Sequence, residues 1–208
     1  MIIYSGGMDS TTLLYQFKNE IKLAVSFDYG QKHNKEIEFA KYHTKNLGIK
    51  HLIIELPFIS QYFKSNLLNS GEAIPHGHYE DSIMKQTVVP FRNGILLSIA
   101  CGLAESNGLN KVFIANHAGD HVIYPDCRST FIGAMNEAMA YGTYINVNIN
   151  SPYQYLTKRE IALVGKNLGI DYTKTWSCYK GQEFHCGICG TCIERKEALI
   201  GFDNTVYQ

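Results

Sequence analysis

Short apolar runs alternate with helical stretches in the first part of the chain, and this alternation constrains the fold more than any other feature. Residues 1–4, 21–27 and 51–56 are β-branched or apolar runs of strand length. Between them, residues 9–18 and 34–47 carry apolar side chains at helical spacing. A β-α-β-α-β order requires parallel strands joined by right-handed crossovers. The chain is therefore predicted to begin as an open, parallel α/β sheet.

The second part of the chain resumes this rhythm after a break. Residues 57–90 have no clear period beyond a helix predicted over residues 59–68, and we interpret the segment as a mobile flap over the site. Asn34 is predicted to cap the second helix and Gly48 to end it. Later helices are predicted over 93–106, 131–141 and 157–168, the last with a Thr157–Glu160 capping box and a closing Gly169, and later strands over 111–116 and 144–149. The expected fold is a doubly wound, mostly parallel five-stranded Rossmann-like sheet over residues 1–170, followed by a small segment at 171–208.

Composition narrows the choice of partners. The chain has 208 residues, and 19 Lys and Arg balance 19 Asp and Glu. A nucleic-acid partner usually leaves a basic excess or a basic stripe, and neither is visible here. No window reads as a membrane span, and no basic region precedes a long apolar run at the N-terminus. The sequence predicts a cytoplasmic protein without a direct nucleic-acid or membrane partner.

The turn Ser5-Gly6-Gly7-Met8-Asp9-Ser10 lies between the first strand and the first helix. Adjacent glycines let the backbone approach a ligand, and a helix start offers unpaired N–H groups to an anion. The turn is neither a Walker A loop nor a dinucleotide fingerprint. On local sequence alone, a phosphate cradle and an ordinary turn are equally good interpretations. Asp9 is read either as a magnesium ligand or as a helix cap.

Polar residues follow several of the predicted strands, in the stretches 5–10, 28–31, 116–128 and 151–158. The carboxyl ends of parallel strands meet at one sheet edge, where open α/β sheets bind their ligands. We therefore expect these four stretches to converge on one site. Their convergence favours the phosphate cradle over a bare turn.

Four cysteines are clustered near the C-terminus as Cys178-x7-Cys186-x2-Cys189-x2-Cys192. Four thiolates at such spacing predict a closed, tetrahedral structural zinc site. An iron–sulfur cluster is the minority alternative, and disulfides are disfavoured in a cytosolic chain. The metal would hold the C-terminal segment, including Trp176 and Tyr179, against the sheet edge.

Other candidate residues lie in three short motifs. Arg92, at a predicted helix start, either grips a carboxylate or phosphate or lies on the surface. Lys158 opposes the dipole of its own helix, which favours a role in anion binding. The stretch 119–128 holds aspartates that suit the donor edge of a guanine-like base and Tyr124, which suits stacking. Three further hypotheses are less favoured. Cys127 would act as a nucleophile, and His121 would act as a general base. His76 and His78 would bind a metal instead of being solvated side chains.

Taken in order, these motifs resemble the 7-cyano-7-deazaguanine synthase family of the PP-loop ATP pyrophosphatases. The matching motifs are Ser-Gly-Gly-Met-Asp-Ser, Phe27-Asp28-Tyr29-Gly30-Gln31, Val-Pro-x-Arg-Asn, Tyr-Pro-Asp-Cys-Arg, Lys158-x-Glu160-Ile161 and Thr175-Trp176-Ser177-Cys178-Tyr179 with its three following cysteines. The resemblance covers essentially the whole chain and implies an adenine nucleotide alpha hydrolase-like fold. It implies that ATP adenylates 7-carboxy-7-deazaguanine, that ammonia displaces AMP to give an amide, and that a second ATP activates the amide for dehydration to the nitrile.

The resemblance also implies roles for individual residues. ATP would be bound by Tyr4, Ser5, Gly6, Gly7, Met8, Asp9, Ser10, Thr11, Thr12, Leu13 and Leu14. The deazaguanine substrate would be bound by Tyr29, Gln31, Arg92, Asn93, Asp120, Tyr124, Asp126 and Arg128, with Asp9, Arg92 and Lys158 as the catalytic residues. Zinc on the four cysteines, Mg²⁺ with ATP and a homodimer complete the expectation.

Three residues depart from the family pattern. Phe91 stands where glycine is common, and Val122-Ile123 stand where Ser-Gly is common. We expect these bulky side chains beside the pocket, where they would narrow substrate choice, stop the reaction at the amide or suit a different acceptor amine. Alternative functions are a related ATP pyrophosphatase acting on another substrate and a non-catalytic nucleotide-binding protein. The neutral net charge disfavours a tRNA-modifying member.

Overall fold

A five-stranded parallel sheet forms the centre of the computed structural model, which describes residues 1–74 and 82–208. The strand order is β3-β2-β1-β4-β5, and every described pairing is parallel. This confirms the doubly wound α/β sheet. The strands are β1 Ile2–Ile3, β2 Leu23–Asp28, β3 Lys50–Glu55, β4 Lys111–Phe113 and β5 Asn148–Asn150.

Helices connect these strands. Within the described residues the α-helices are α1 Met8–Gln16, α2 Glu36–Leu47, α3 Pro57–Tyr62, α4 Arg92–Ser106, α5 Ser129–Tyr141, α6 Lys158–Asn167 and α7 Gly190–Ala198. Short 3-10 helices cover Ser82–Thr87, Ala118–Val122, Pro125–Cys127 and Tyr172–Lys174. The chain leaves β3 at one edge and returns to β4 beside β1. Strand order therefore reverses between β1 and β4, which is where open α/β sheets bind ligands.

Two of the predicted helix boundaries are confirmed by their caps, and one is wrong. Thr157 and Glu160 form the predicted capping box of α6. Gly48 ends α2 with a left-handed φ of 65°, as glycine does without strain. The prediction of Asn34 as N-cap is wrong, because its side-chain amide instead donates to the Asp28 carboxylate at 3.0 Å. Helix α2 then begins at Glu36.

The segment between β3 and α4 differs from the prediction. Its helix begins at Pro57, whose fixed φ suits a first turn, and ends at Tyr62 rather than at Leu68. Leu67 and Leu68 are buried in the main core. The Leu67 carbonyl accepts a hydrogen bond from the backbone of Lys32 at 2.8 Å. This part of the segment is therefore packed into the fold. The prediction on His76 and His78 lies outside the described residues.

Strand β5 begins later than predicted. Asn146 has a left-handed φ of 51°, which interrupts an extended run, and Tyr144 is fully exposed. Pairing with β4 accordingly starts at Asn148. Among the described residues, the stretch Met84–Ser106 is long and apolar enough to cross a membrane by length and composition only, a test that core helices also pass. Half of its apolar window is buried inside the fold, which is the behaviour of a core helix.

Candidate active site

A cavity of about 230 Å³ opens at the carboxyl ends of the central strands. Its walls come from the residues that follow β1, β2 and β4, from the starts of α1, α4 and α6, and from the C-terminal segment. The predicted ATP-binding residues that line it are Tyr4, Ser5, Gly7, Met8, Asp9 and Ser10. The predicted substrate-binding residues that line it are Tyr29, Arg92, Asn93, Asp120 and Tyr124, and Lys158 joins them. The expected convergence of the strand-end stretches is confirmed.

The Ser5–Ser10 loop forms one wall of this cavity. Gly6 has a φ of 87°, and a Cβ on it would clash with the Glu36 carbonyl and lie 2.7 Å from the Ala40 nitrogen. Only glycine therefore lets the loop pack against the start of α2. The Ser5 hydroxyl accepts from the Gly7 N–H at 3.1 Å and lies 3.0 Å from the Ser10 hydroxyl. The first turn of α1 then presents N–H groups without intrahelical acceptors, as a phosphate cradle needs.

The remaining predicted ATP-binding residues support the loop from behind and do not line the cavity. The Thr11 hydroxyl pairs with the Tyr4 hydroxyl at 3.1 Å. The Thr12 hydroxyl donates to the Met8 carbonyl at 2.9 Å. Leu13 and Leu14 are buried in a core cluster beneath the loop.

Lys158 connects the loop to the C-terminal segment. Its Nζ lies 3.2 Å from Asp9 Oδ2 and 2.8 Å from Glu194 Oε2, and all three side chains are largely buried. Burial works to lower the pKa of Lys158, but the Asp9 and Glu194 carboxylates outweigh it and hold the pKa above its ordinary value. Glu194 was not predicted. Its only signal in the sequence is its position two residues after Cys192, on the turn that a metal would fix.

Asp9 has the surroundings of a cation ligand. Its Oδ2 is shared between Lys158 and His117, whose Nε2 lies 3.9 Å away. Its Oδ1 is buried and has no hydrogen-bond partner within the described part of the chain. Buried polar atoms are rarely left unpaired, and carboxylate oxygens are ligands that Mg²⁺ prefers. The loop therefore fits Mg²⁺ bound together with a phosphate ligand.

Arg92 lies at the start of α4, on the other wall. It donates to the Tyr29 hydroxyl at 3.5 Å and to Asn93 Oδ1 at 3.3 Å. Burial works to lower the pKa of Arg92, but neighbouring Tyr29 and Asp126 raise it well above its ordinary value. The guanidinium therefore stays charged and faces a cavity that suits an anionic ligand.

His33 and Glu36 also line this wall, and sequence reasoning missed both. Their side chains approach to 3.6 Å, from His33 Nε2 to Glu36 Oε1. Burial raises the pKa of Glu36 to about 8 against the opposing charge of Arg92, while burial and Arg92 lower the pKa of His33 to about 3. One feature of the sequence indicates them: both follow β2 closely, next to the stretch 28–31 that is predicted to reach the site.

Three predicted substrate-binding residues lie outside the cavity lining. Gln31 shapes the turn after β2, accepting from the Tyr29 N–H at 2.8 Å and donating to the Phe27 carbonyl at 3.0 Å. Asp126 accepts from the Asn93 N–H at 2.8 Å and so caps α4. Arg128 is exposed and donates to a backbone carbonyl of the preceding turn. In this arrangement these side chains position the residues that line the cavity.

Cys127 lines the cavity but does not have the surroundings of a nucleophile. Asn93 donates to its sulfur at 3.1 Å. Burial and the Asp120 carboxylate raise the pKa of Cys127 well above its ordinary value, so the thiol stays protonated. His121 does not line the cavity, and its ring contacts the Gln154 amide.

The three departures from the family pattern do not reach the cavity. Phe91 has a left-handed φ of 54°, is 58% exposed, and packs edge-on against Phe131 at a ring distance of 5.5 Å. Val122 is exposed, and Ile123 is buried in a separate cluster with Tyr124. None of the three lines the cavity. The three side chains therefore adjoin lining residues without entering the cavity, and their effect on substrate choice stays a prediction.

The four C-terminal cysteines form a group that could hold a metal ion. Cys178, Cys186, Cys189 and Cys192 are buried, and their sulfur atoms lie within 4.8 Å of one another. A tetrahedron with metal–sulfur bonds of about 2.3 Å needs sulfur separations of roughly 4 Å. The sulfurs are thus already gathered at nearly the separation that one ion requires.

The cysteine segment also contacts the phosphate loop. The Trp176 N–H donates to the Gly6 carbonyl at 3.2 Å, and the Trp176 ring N–H donates to the Cys178 carbonyl at 2.9 Å. Thr191 donates to the Ser177 carbonyl at 2.8 Å, and both residues line the cavity. The C-terminal segment therefore completes one side of the site.

Comparison with known proteins places this geometry in a family. The model of the queuosine biosynthesis protein QueC matches residues 1–203. The chain belongs to the QueC family. A 7-cyano-7-deazaguanine synthase of Porphyromonas gingivalis is 60% identical over 200 residues, covering 96% of this chain and 91% of the relative. One from Desulfotalea psychrophila is 52% identical over 213 residues, covering 100% of this chain and 97% of the relative.

Membership in the QueC family identifies the chain as an enzyme.

Among solved structures, the U34-tRNA thiolase NcsA of Methanococcus maripaludis, described with its [4Fe-4S] cluster, superimposes with a TM-score of 0.51. It is 15% identical, and the match covers 82% of this chain and 57% of the thiolase. At that identity the likeness supports the shared α/β fold alone.

Proposed function

We propose that the chain converts 7-carboxy-7-deazaguanine and ammonia to 7-cyano-7-deazaguanine at the expense of ATP, releasing AMP and pyrophosphate, in queuosine biosynthesis. The observation that carries the proposal is one cavity with the Ser5–Ser10 loop and Lys158 on one wall and Arg92 on the other. The names of the relatives that are 60% and 52% identical support the choice of product.

The wall formed by the Ser5–Ser10 loop and Lys158, here called the phosphate wall, would bind ATP through its pyrophosphate. Backbone N–H groups at the start of α1 and the hydroxyls of Ser5 and Ser10 would surround it. Magnesium, when bound, would neutralise charge on the departing pyrophosphate, and Asp9 is the residue suited to hold it. Lys158, held by Glu194 at 2.8 Å, would neutralise the phosphates while Asp9 serves the metal.

The opposite wall, which holds Arg92 and is here called the substrate wall, would bind the deazaguanine substrate. Arg92 would hold the substrate carboxylate while one of its oxygens attacks the α-phosphorus of ATP. Tyr29 and Tyr124, which line the cavity, would contact the deazaguanine ring. Ammonia then displaces AMP to form the amide. A second adenylation, on the amide oxygen, makes AMP the leaving group again as the nitrile forms.

The test measures nucleotide and product together. Purified protein with both substrates, ATP and Mg²⁺ is expected to form AMP that depends on 7-carboxy-7-deazaguanine. The mass of the deazaguanine product is expected to be that of the nitrile, because Phe91, Val122 and Ile123 do not enter the cavity. ADP formation, or no AMP at all, contradicts the proposal. An amide as final product would favour the related enzyme that stops one step earlier.

We also propose that the four cysteines bind a structural zinc ion, because the site is closed and buried. Elemental analysis is expected to find about one zinc per chain, and iron with sulfide would contradict this assignment. Chelation is expected to abolish adenylation, because Trp176 and Glu194 join this segment to Gly6 and Lys158. We further propose that the ATP-binding domain ends at residue 170 and the zinc-binding segment begins at residue 171. A cytoplasmic location and a homodimer are part of the same proposal. The sequence and the family resemblance support all three.

A further inference from the structure

The pair formed by His33 and Glu36 has no role in the chemistry described so far. Both side chains line the cavity, and His33 is 6% exposed. His33 Nε2 lies 3.6 Å from Glu36 Oε1, which leaves Nδ1 as the second nitrogen of the ring. Nδ1 is buried and has no hydrogen-bond partner within residues 1–74 and 82–208. A buried polar atom without a partner costs stability, and this one belongs to a side chain of the cavity lining, so it points to a ligand that binds there.

The position of Glu36 relates this pair to the reacting groups. Its backbone carbonyl abuts Gly6 of the phosphate loop. Its carboxyl lies within the electrostatic range of Arg92. Glu36 therefore adjoins the phosphate loop through its backbone and shares the cavity with Ser5 and Arg92. The acyl adenylate would form within this shared cavity.

Ammonia makes particular demands on the site that holds it. The molecule has three N–H donors and one lone pair, and the lone pair must point at the carbonyl carbon. Its site must therefore supply hydrogen-bond acceptors. Neutral imidazole has one donor nitrogen and one acceptor nitrogen, and a carboxyl group has acceptor oxygens. His33 directing its Nε2–H to Glu36 would leave Nδ1 as a free acceptor beside the carboxylate.

We propose that His33 and Glu36 form the ammonia subsite, and that Glu36 accepts the proton which the attacking nitrogen sheds. The proposal rests on the proposed function. The nitrogen–carbon bond forms as the carbon–oxygen bond to AMP breaks, and the bonding pair leaves on the AMP oxygen. One proton passes from nitrogen to the Glu36 carboxylate, and the amide remains. Glu36 later returns that proton to solvent.

Two further features fit this assignment. Burial raises the pKa of Glu36 to about 8, and a general base works best when its pKa is near the operating pH. The His33 ring also packs against Tyr179 with ring centroids 5.4 Å apart, which fixes the direction of its nitrogens. Both residues come from the turn and helix that follow β2, so one short stretch supplies the whole subsite.

The test separates adenylation from amide formation. Exchange of labelled pyrophosphate into ATP, dependent on 7-carboxy-7-deazaguanine and run without ammonium, reports adenylation. Amide formation is then measured against ammonium concentration. Glu36→Gln and His33→Phe are expected to retain exchange within about twofold. Both are expected to raise the KM for ammonium tenfold or more and to release AMP without amide. Glu38→Gln, exposed on the same helix, is the matched control and is expected to behave as wild type.

The outcomes distinguish this inference from the function on which it rests. Wild-type protein without exchange refutes the proposed function itself. Exchange with an unchanged KM for ammonium in both variants refutes the ammonia subsite. Loss of exchange in both variants also refutes it, because the pair would then serve ATP or the deazaguanine. If Glu36→Gln fails to fold, His33→Phe decides alone, since phenylalanine keeps the ring against Tyr179 and removes only the nitrogens.

Discussion

Lys158 and Arg92 are cations on opposite walls of one cavity, and their surroundings differ. Lys158 lies between two carboxylates, at 3.2 Å from Asp9 and 2.8 Å from Glu194. Arg92 donates to a tyrosine hydroxyl and an amide oxygen, and the described ion pairs do not include it. The phosphate wall is therefore neutralised in the free protein, whereas the substrate wall holds a cation whose direct partners are neutral.

The difference suggests how each wall would meet its ligand. Phosphates at Lys158 must compete with carboxylates, so a metal that engages Asp9 would favour their entry. A carboxylate at Arg92 displaces no anion from a hydrogen bond, so that wall is ready for it. Binding of the substrate anion is thus expected to depend little on magnesium, and binding of ATP to depend on it strongly.

The largest expected effect comes from removing each cation in turn. Lys158→Met removes the cation that pairs with the buried Asp9 and Glu194 carboxylates, and we expect it to lower the free energy of unfolding by roughly 3–5 kcal/mol. Arg92→Met removes a cation whose hydrogen-bond partners are neutral and whose nearby carboxylate is Asp126, and it is expected to cost less, about 1–2 kcal/mol. Urea denaturation of the ligand-free protein measures both.

A matched control and a double variant sharpen this comparison. Lys41→Met changes an exposed lysine and is expected to stay within about 0.5 kcal/mol of wild type. Adding Glu194→Gln to Lys158→Met is expected to recover part of the loss, because it removes one of the two orphaned charges. Equal losses for Lys158→Met and Arg92→Met would show that the two walls do not differ as described.

The second expected effect is at Gly6, where the two walls touch. Gly6→Ala places a Cβ against the start of α2, on a backbone with a φ of 87°. We expect it to destabilise the protein by about 2–4 kcal/mol through overpacking and left-handed strain. Gly102→Ala is the control, because its Cβ would meet nothing within 4 Å on a helix, and it should stabilise by up to about 1 kcal/mol. A Gly6→Ala protein as stable as wild type would mean that the loop and α2 shift apart freely.

The two walls also differ in how far sequence predicts them. The phosphate wall is built mainly from consecutive residues. The sequence therefore predicts its strand, its Ser5–Ser10 loop and its helix directly. Convergence of the strand ends followed from parallel topology. Lys158 was readable because it breaks the charge preference of a helix start.

The remaining features depend on contacts between distant elements. Glu36 becomes a cavity residue because α2 packs on Gly6, and Glu194 reaches Lys158 because α7 packs beside it. Nothing in their local sequence specifies those partners. The direction of the Phe91 side chain depends on its left-handed backbone φ of 54°. Bulky residues rarely adopt that conformation, so the residue type alone would not predict it. Sequence therefore predicted the framework and most of the predicted-site residues on both walls, while tertiary packing added Glu36 and Glu194 and directed Phe91 away from the cavity.

A pH dependence is expected to separate Glu36 from the ion pairs around Lys158. The pKa of Glu36 is raised from 4.5 to about 8 by burial, so the folded protein keeps a proton that the unfolded chain has lost. Its contribution to stability is complete below about pH 4.5 and falls as pH rises through 8. The free energy of unfolding of wild type minus that of Glu36→Gln is therefore expected to decrease from pH 5 to 8 and to level off above. Glu38→Gln should give no such slope, and a flat Glu36 difference would show that the Glu36 carboxylate is ionised and paired, as Asp9 and Glu194 are on the opposite wall.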